Sequence, residues 1–360
     1  MTRARDHIAR MAGYALADLT APDGKPLISL AQNECLRGPS PQAVAAAQAA
    51  LAGAELYPDP DWRALRHALA ALHAIPADRI LCGNGSLDLI GALARCFAGP
   101  DRAALAPAHA YPFFRTATLL AEARFDTAPE EAATVSVSAL LDSVRPDTGL
   151  VLVANPGNPT GTRIPRAELA RLRAGLRPDI LLVIDEAYGE FADGLDAPSF
   201  DMVPAGNTVV LRTLSKAYGM AGFRVGWGLF PELVAAEICK VLNPNNISAM
   251  AQAAAVAALA DQAYMRDTCR MTARLRDDAS ARLTAAGLHV LPSFTNFLLI
   301  DMGSAARARA ADAALRRDGI LLRQQAGAGL PHALRMTIGP AAAVDTAVTA
   351  LVTWTRETSR

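Results

Sequence analysis

The segment at residues 208–219, Thr-Val-Val-Leu-Arg-Thr-Leu-Ser-Lys-Ala-Tyr-Gly, joins a short apolar run to a polar loop. The run predicts a buried strand, because it is short, apolar and rich in β-branched residues. Lys216 in the loop is one of three lysines in a chain with 32 arginines. A lysine in an ordinary loop is a solvated charge, but a desolvated lysine can lose its proton and act as a nucleophile, which arginine cannot do. Lys216 is therefore a candidate catalytic residue.

The same alternation of apolar run and helix-like segment extends from about residue 79 to residue 230. Continuous apolar strands separated by helices predict an α/β fold with a mostly parallel sheet that is covered on both faces. The apolar runs lie at residues 80–82, 103–106, 150–153, 180–184, 208–211 and 225–229. We predict that this sheet forms a large domain at residues 45–262.

The remainder of the chain predicts a smaller α/β domain, made of residues 1–44 with an N-terminal arm and residues 263–360. Long helices are expected at residues 247–259 and 264–285, the second ended by Gly287. Shorter elements then alternate, with strands near residues 288–291, 297–301, 320–323 and 334–338 and helices near residues 305–317 and 341–355.

Polar loops follow four of the predicted strands. Their sequences are Gly-Asn-Gly-Ser at 83–86, Asn-Pro-Gly-Asn-Pro-Thr-Gly at 155–161, Asp-Glu-Ala-Tyr at 185–188 and Arg-Thr-Leu-Ser-Lys at 212–216. Open α/β sheets bind ligands at the carboxyl ends of their strands, so these loops are expected to meet around one pocket. Taken singly, Asp185 could be a helix cap, Asn158 a turn residue and Tyr111 a core residue.

The glycine turn at residues 83–85 does not match the dinucleotide fingerprint, because position 88 is aspartate. A tight turn directly before a helix that begins at Ser86 still predicts a phosphate-binding site made of backbone N–H groups. Arg224 would supply the positive charge.

Composition excludes several other classes. The 360 residues carry a formal net charge of zero, with 52% hydrophobic and 19% charged residues, so a soluble protein of about two domains is expected and no nucleic-acid partner. No apolar stretch is long enough for a membrane span, and the first residues lack a signal-peptide core, which predicts a cytoplasmic location. The five cysteines form no CxxC pair and the six histidines have no metal-ligand spacing, so no metal site is expected.

The motifs at residues 155–161, 185–188 and 213–224 together resemble the fold-type I pyridoxal-phosphate aminotransferases, most of all the histidinol-phosphate aminotransferase branch. Other hallmarks occur in the same order along the chain: Asn-Glu at 33–34, Tyr-Pro-Asp at 57–59, Gly-Asn-Gly-Ser at 83–86 and Leu-Arg-Met-Thr-Ile-Gly at 334–339. The resemblance covers residues 27 to 340. It implies the fold of a fold-type I transferase, a pyridoxal 5'-phosphate cofactor and a homodimer with shared active sites.

The resemblance also implies roles for individual residues. Lys216 would form a Schiff base with the cofactor, Asp185 would pair with its pyridine nitrogen, and Tyr188 would hydrogen-bond its phenolic oxygen together with Asn158. Tyr111 would stack on the ring. The phosphate would be held by Gly85, Ser86, Thr213, Ser215 and Arg224, and by Tyr57 of the neighbouring subunit. Substrate would be bound by Asn33, Arg323 and Arg335.

For Arg335 the sequence adds a pattern of its own. Leu334, Met336 and Ile338 alternate with Arg335 and Thr337, so one face of a strand is buried and the other can present a fixed guanidinium. The planar guanidinium suits a carboxylate or a phosphate, because it can donate two parallel hydrogen bonds. An ordinary surface arginine is the alternative.

Several positions depart from the pattern of the family. Cys35 and Leu36 replace the usual Asn-Pro, Leu87 replaces an acidic residue, and His109 replaces a proline. The N-terminal Tyr-x-Pro-Gly motif is present only as Tyr-Ala-Leu-Ala at residues 14–17. None of these departures is expected to alter the cofactor chemistry, but all of them bear on the choice of substrate.

The resemblance implies transfer of an amino group from histidinol phosphate or a similar amine to a keto acid such as 2-oxoglutarate. Three alternatives stay open at this stage: an aromatic amino-acid aminotransferase, a threonine-phosphate decarboxylase, and a non-catalytic effector-binding module of a transcription regulator. The decarboxylase is disfavoured by the intact Asn-Pro-Thr-Gly loop. The regulator is disfavoured because the sequence ahead of Asn33 is too short for a DNA-binding domain.

Overall fold

The computed structural model describes residues 2–13, 20, 25–192 and 194–358. The helices are α1 Asp6–Ala9, α2 Pro41–Ala50, α3 Arg63–His73, α4 Ser86–Phe97, α5 Pro112–Leu120, α6 Val137–Asp142, α7 Arg166–Gly175, α8 Glu232–Cys239, α9 Ala249–Ala260, α10 Gln262–Ala285, α11 Ala305–Arg317 and α12 Ala341–Thr358. The strands are β1 Ile28–Ser29, β2 Ile80–Asn84, β3 Ala103–Pro107, β4 Phe125–Ala128, β5 Glu130–Glu131, β6 Thr134–Val135, β7 Thr148–Ala154, β8 Leu181–Asp185, β9 Thr208–Thr213, β10 Val225–Leu229, β11 His289–Val290, β12 Phe297–Asp301, β13 Ile320–Leu321, β14 Arg323–Gln325 and β15 Leu330–Thr337.

A seven-stranded sheet has the strand order β2-β10-β9-β8-β7-β3-β4. Only β10 runs antiparallel to its neighbours β2 and β9, so the other six strands end at the same edge. Every residue of β3, β7, β8, β9 and β10 is buried, as expected for a sheet with helices on both faces. The carboxyl edge therefore collects the loops after six strands and the residues that precede β10.

A second, four-stranded antiparallel sheet has the order β11-β12-β15-β14. It packs in its own hydrophobic cluster with α10, α11 and α12, and this cluster also takes in Leu30 from the N-terminal segment. The short strand β1 pairs in parallel with β13, which ties residues 28 and 29 to this part of the fold. The predicted seam between residues 44 and 45 and between residues 262 and 263 stays a prediction.

Helix boundaries follow from local chemistry. The side chains of Ser40, Ser248 and Ser304 accept hydrogen bonds from the first turns of α2, α9 and α11, and Asp261 does the same for α10. Gly287, with a φ of 88°, follows the end of α10 in the left-handed region that glycine enters without strain.

The predicted α/β fold with a mostly parallel sheet is confirmed, and each predicted apolar run of the large sheet overlaps a strand, with Ile180 lying one residue before β8. The structure adds β4 at the sheet edge and divides the expected strand at residues 320–323 between β13 and β14. The predicted strand at 297–301 and helix at 305–317 have the same bounds in the structure. None of the helices in the described ranges is long and apolar enough to span a membrane.

Candidate active site

A cavity of about 350 Å³ lies at the carboxyl edge of the large sheet, between that edge and the strands β14 and β15. Twelve of the fourteen residues that the sequence predicted for the site line it: Asn33, Ser86, Tyr111, Asn158, Asp185, Tyr188, Thr213, Ser215, Lys216, Arg224, Arg323 and Arg335. The strand-end loops therefore meet around one pocket, as the sequence predicted.

The two other predicted residues, Gly85 and Tyr57, are not among those that line this cavity. Gly85 directly precedes Ser86 at the start of α4. The side chain of Tyr57 is 89% exposed and lines a separate surface cavity together with Arg224. The segment at residues 14–17, where the family motif is incomplete, lies outside the described residues.

One end of the cavity, which we call the anion site, brings together hydrogen-bond donors of Ser86, Thr213, Ser215 and Arg224. Ser86 is the first residue of α4, and helix N-termini present unpaired N–H groups and a positive dipole end. The Ser215 hydroxyl accepts from Thr213 Oγ1 at 3.0 Å and from Arg224 Nη1 at 3.4 Å. These donors come from three separate segments of the chain, which the sheet brings to one place.

Two glycines make this close approach possible. A Cβ atom on Gly226 would lie 2.0 Å from the backbone nitrogen of Ser86, and one on Gly85 would lie 2.4 Å from Arg224 Nη2. Gly85 also has a φ of 76°. Both positions exclude a side chain, so β10 and the guanidinium can lie directly against the start of α4.

Asp185 lies at the end of β8 with only 4% of its surface exposed. Burial, with a smaller contribution from the nearby Glu186, raises the pKa of this carboxyl to about 7, although the Ala187 N–H donates to Oδ1 at 3.1 Å and opposes the shift. An isolated buried carboxylate is unstable, so this position favours a cationic or protonated partner in the cavity.

Lys216 lies in the same cavity as Asp185. Its Nζ donates to the carbonyl oxygen of Asn33 at 3.1 Å. Burial, together with the positive charges of Arg335 and Arg224, lowers the pKa of this amine to about 8. A substantial neutral fraction near physiological pH is what a nucleophilic or proton-transferring lysine needs.

Arg335 extends from β15 into the cavity. Its Nη1 donates to Asn158 Oδ1 at 2.6 Å and its Nη2 to the carbonyl oxygen of Ala31 at 3.0 Å. Arg323 is its partner across the antiparallel pair of β14 and β15, so the two side chains leave the sheet at neighbouring positions. The alternating pattern of residues 334–338 correctly placed Arg335 on a face apart from the apolar core.

Tyr188 is held by residues from the N-terminal segment and the smaller sheet. Its hydroxyl accepts a hydrogen bond from Asn33 Nδ2 at 2.8 Å, and its ring packs edge-on against Phe297 with centroids 5.3 Å apart. Thr337 and Asn296 hold Asn33 in turn: Asn33 N–H donates to Thr337 Oγ1 at 2.9 Å, and Asn296 Nδ2 donates to the Asn33 carbonyl at 3.1 Å.

Thr337 and Asn296 were not predicted as site residues. Thr337 shared the polar face of its strand with Arg335, which was a usable signal. The sequence around Asn296 gave no such signal, because its hydrogen bond to Asn33 joins segments 263 residues apart. The side chain of Asn33, predicted to bind substrate, is here bonded to protein groups. Its substrate role stays a prediction.

A buried ion cluster lies behind the cavity and was also missed. Arg212 Nη2 lies 2.8 Å from Glu186 Oε2, and Arg212 Nη1 lies 3.3 Å from Glu190 Oε1. The three side chains are 1%, 6% and 5% exposed, respectively. Arg212 precedes Thr213, and Glu186 follows Asp185, so the cluster joins the two loops that carry the cavity residues. In the part of the chain that the structure describes, no three His, Cys, Asp or Glu side chains are grouped as metal ligands.

Comparison with known proteins agrees with this geometry. The family model for aminotransferase class I and II matches residues 25–351. A histidinol-phosphate aminotransferase of Granulibacter bethesdensis is 40% identical over 91% of this chain and 89% of its own length, and one of Paramagnetospirillum magneticum is 43% identical over 87% of each. The crystal structure of histidinol-phosphate aminotransferase from Sinorhizobium meliloti in complex with pyridoxal-5'-phosphate is 30% identical, superimposes with a TM-score of 0.92 and covers 99% of both chains.

The family match covers most of the chain, and the relatives align over nearly their whole length. The fold superimposes on that of the solved structure with a TM-score of 0.92. The chain belongs to the class I and II aminotransferase family.

Proposed function

We propose that this protein is a pyridoxal-phosphate-dependent aminotransferase that moves the amino group of histidinol phosphate to a keto acid such as 2-oxoglutarate. One observation carries the proposal: Lys216 and Asp185 lie in one cavity, and the anion site lies at its end. This chemistry requires three groups: an amine with a lowered pKa, a buried acid and a phosphate-binding site.

The residues present fit the cofactor. Its phosphate suits the donors of Ser86, Thr213, Ser215 and Arg224, and its pyridine nitrogen suits the buried Asp185. Pyridoxal phosphate, when bound, supplies an aldehyde that condenses with amines and a ring that withdraws electrons from the substrate carbon.

The side chains of the chain perform the remaining tasks. Asp185 would keep a proton on the ring nitrogen of the bound cofactor, because a buried carboxylate gains a cationic partner only if that nitrogen is protonated. Lys216, once its Nζ is released, removes and returns the proton at the substrate carbon as general base and acid. Tyr188 and Asn158 would hold the phenolic oxygen of the bound cofactor, and Tyr111 would cover its ring.

Arg335 and Arg323 bind the acidic groups of the substrates. Arginine holds carboxylates and phosphates through two parallel hydrogen bonds, and both side chains line the cavity. Histidinol phosphate is favoured as donor because the similar proteins of Granulibacter and Paramagnetospirillum carry this enzyme name.

A homodimer is proposed from the surface around Tyr57. The neighbouring Leu56 and Leu51 are 69% and 57% exposed, so this side of the chain presents an apolar patch, and Tyr57 points away from its own core. In the dimer, Tyr57 reaches the anion site of the neighbouring subunit. We also place the protein in the cytoplasm, which suits its free cysteines.

The test measures amino transfer from histidinol phosphate to 2-oxoglutarate by the protein loaded with pyridoxal phosphate, beside phenylalanine and threonine phosphate as rival substrates. We expect glutamate formation with histidinol phosphate, and a loss of roughly 10²–10⁴-fold in kcat for Lys216→Ala. Lys240→Ala, on an exposed ion pair with Glu237, is the matched control and should retain activity.

Turnover of phenylalanine without turnover of histidinol phosphate would show the aromatic aminotransferase instead. Release of carbon dioxide from threonine phosphate would show the decarboxylase. Full activity of Lys216→Ala would end the proposal for every substrate. The dimer is tested separately by sedimentation of the native protein and of Leu56→Glu, which we expect to weaken association.

A further inference from the structure

The contacts between Asn33 and Thr337 have a fixed hydrogen-bond direction. The backbone N–H of Asn33 can only donate, so the Thr337 hydroxyl oxygen accepts this bond at 2.9 Å. The same hydroxyl lies 3.3 Å from Asn33 Oδ1, to which it donates its proton. Both residues are 2% exposed, so water does not compete for these groups.

This direction fixes the orientation of the Asn33 amide. With Oδ1 accepting from Thr337, the amide nitrogen faces Tyr188 and lies 2.8 Å from its hydroxyl oxygen. If the amide were rotated by 180°, its NH₂ group would face Thr337, and the buried threonine proton would lose the acceptor it has here. The observed orientation satisfies all three groups.

An amide nitrogen donates and does not accept, so the Tyr188 oxygen is the acceptor of this bond. Its own proton therefore points away from Asn33. Tyr188 lines the cavity, and the edge-on contact with Phe297 fixes the plane of its ring. The hydroxyl can then offer its proton to an acceptor inside the cavity.

We infer that Thr337 and Asn33 are positioning residues that make Tyr188 a hydrogen-bond donor toward the phenolic oxygen of the bound cofactor. The inference rests on the proposed function. Thr337 then affects the cofactor without touching it, because its effect passes through the side-chain amide of Asn33. Neither residue needs to touch the substrate for this effect.

The consequence is electrostatic. A donor at the phenolic oxygen stabilises negative charge on it, and this lowers the pH at which the chromophore formed with Lys216 loses its proton. Removing the donor, or turning it away, raises that pH. The charged side chains that line the same cavity are Glu34, Asp185, Lys216, Arg224, Arg323 and Arg335, and the test leaves all of them unchanged.

The experiment titrates the Lys216-dependent visible absorption band of the cofactor-loaded protein in Thr337→Val, Thr337→Ser, Tyr188→Phe and the double variant Tyr188→Phe/Thr337→Val. We expect Thr337→Val to raise the pH midpoint by about half to one unit, and Tyr188→Phe to raise it at least as far. Thr337→Ser keeps the hydroxyl and should keep the midpoint. In the double variant, Thr337→Val should add nothing, because it acts only through the Tyr188 hydroxyl.

Asn33→Asp provides a second route that does not depend on how well the valine variant folds. A carboxylate cannot donate, so Tyr188 must donate to it and turn its proton away from the cofactor. We expect this variant to raise the midpoint as well, and the same substitution in Tyr188→Phe measures the share due to the added charge.

An unchanged midpoint in Thr337→Val, or an equal shift in the presence and absence of the Tyr188 hydroxyl, would overturn the inference while the band itself still supported the proposed function. Absence of any Lys216-dependent band in the unmodified protein would overturn the proposed function and this inference with it.

Discussion

Arg335 Nη1 donates to Asn158 Oδ1 over 2.6 Å, so the side chain proposed to grip the substrate is bonded to one proposed to contact the cofactor. Arg335 comes from β15 and Asn158 from the loop after β7, two segments separated by 177 residues. Occupation of the arginine by an acidic substrate therefore acts directly on the asparagine amide.

We predict that Arg335→Lys raises KM for both amino donor and keto acid by roughly 10–100-fold. A lysine keeps the charge but cannot make two parallel hydrogen bonds to a carboxylate, and charge-assisted hydrogen bonds contribute about 1.5–3 kcal/mol each. Steady-state kinetics measure the effect. Arg309→Lys, at an exposed position of α11, is the control and should leave KM unchanged. Wild-type KM values in Arg335→Lys would argue against carboxylate binding here.

Lys216 should react selectively with amine reagents in protein freed of its cofactor. Its pKa is lowered to about 8, so above that pH its amine is mostly neutral and nucleophilic. Lys25 and Lys240 lie at the surface in ion pairs with Asp318 and Glu237, and they serve as internal controls. Labelling at pH 8.5 followed by mass spectrometry should find Lys216 modified first by a small reagent. Faster labelling of either surface lysine would contradict the lowered pKa.

Asp185 should make the cofactor-free protein less stable as pH rises from 4 to 7. Burial raises the pKa of this carboxyl from 3.8 to about 7, so over this range the folded state holds a proton that the unfolded state releases. The contribution is roughly 4 kcal/mol at most. Urea unfolding at pH 5 and pH 7.5 measures it. Asp185→Asn should reduce the difference between the two pH values, and an unchanged difference would rule out Asp185 as its source.

Arg212→Gln should lower the free energy of unfolding by about 3–5 kcal/mol, because it leaves Glu186 and Glu190 buried without their cation. Arg171→Gln is a matched control, since it breaks an exposed pair with Glu168 and should cost less than about 1 kcal/mol. Denaturant unfolding of the two variants gives the comparison. Equal effects of the two substitutions would mean that the buried cluster contributes no more than a surface pair.

The sequence predicted the large sheet because its strands are buried on both faces, which leaves uninterrupted apolar runs such as residues 150–153. It predicted the cavity because polar residues follow those runs at a common edge. The sequence did not predict strand β4, because Phe125–Ala128 is short, only partly buried and interrupted by Asp126 and Thr127. Short edge strands carry little pattern of their own.

The missed residues share a different cause. Arg212, Asn296 and Thr337 act through contacts between segments that are distant in sequence, and a buried arginine or asparagine looks in the sequence like any surface one. Periodicity reports which face of an element is apolar; it does not report which polar side chain will find a partner on another element. Such partners became visible only in the folded structure, at neighbouring strand ends of the large sheet for Arg212 and between the N-terminal segment and the smaller sheet for Asn296 and Thr337.

Gly226 makes the anion site sensitive to the enlargement of a single residue. All of the groups that bind there are donors, yet the space between β10 and α4 has no room for a single methyl group. Adding an atom at position 226 could therefore abolish binding while every donor stays in the chain, whereas most loss-of-function substitutions take an interaction away. We expect the enlargement of Gly226 to weaken anion binding more than the removal of any single hydroxyl at this site.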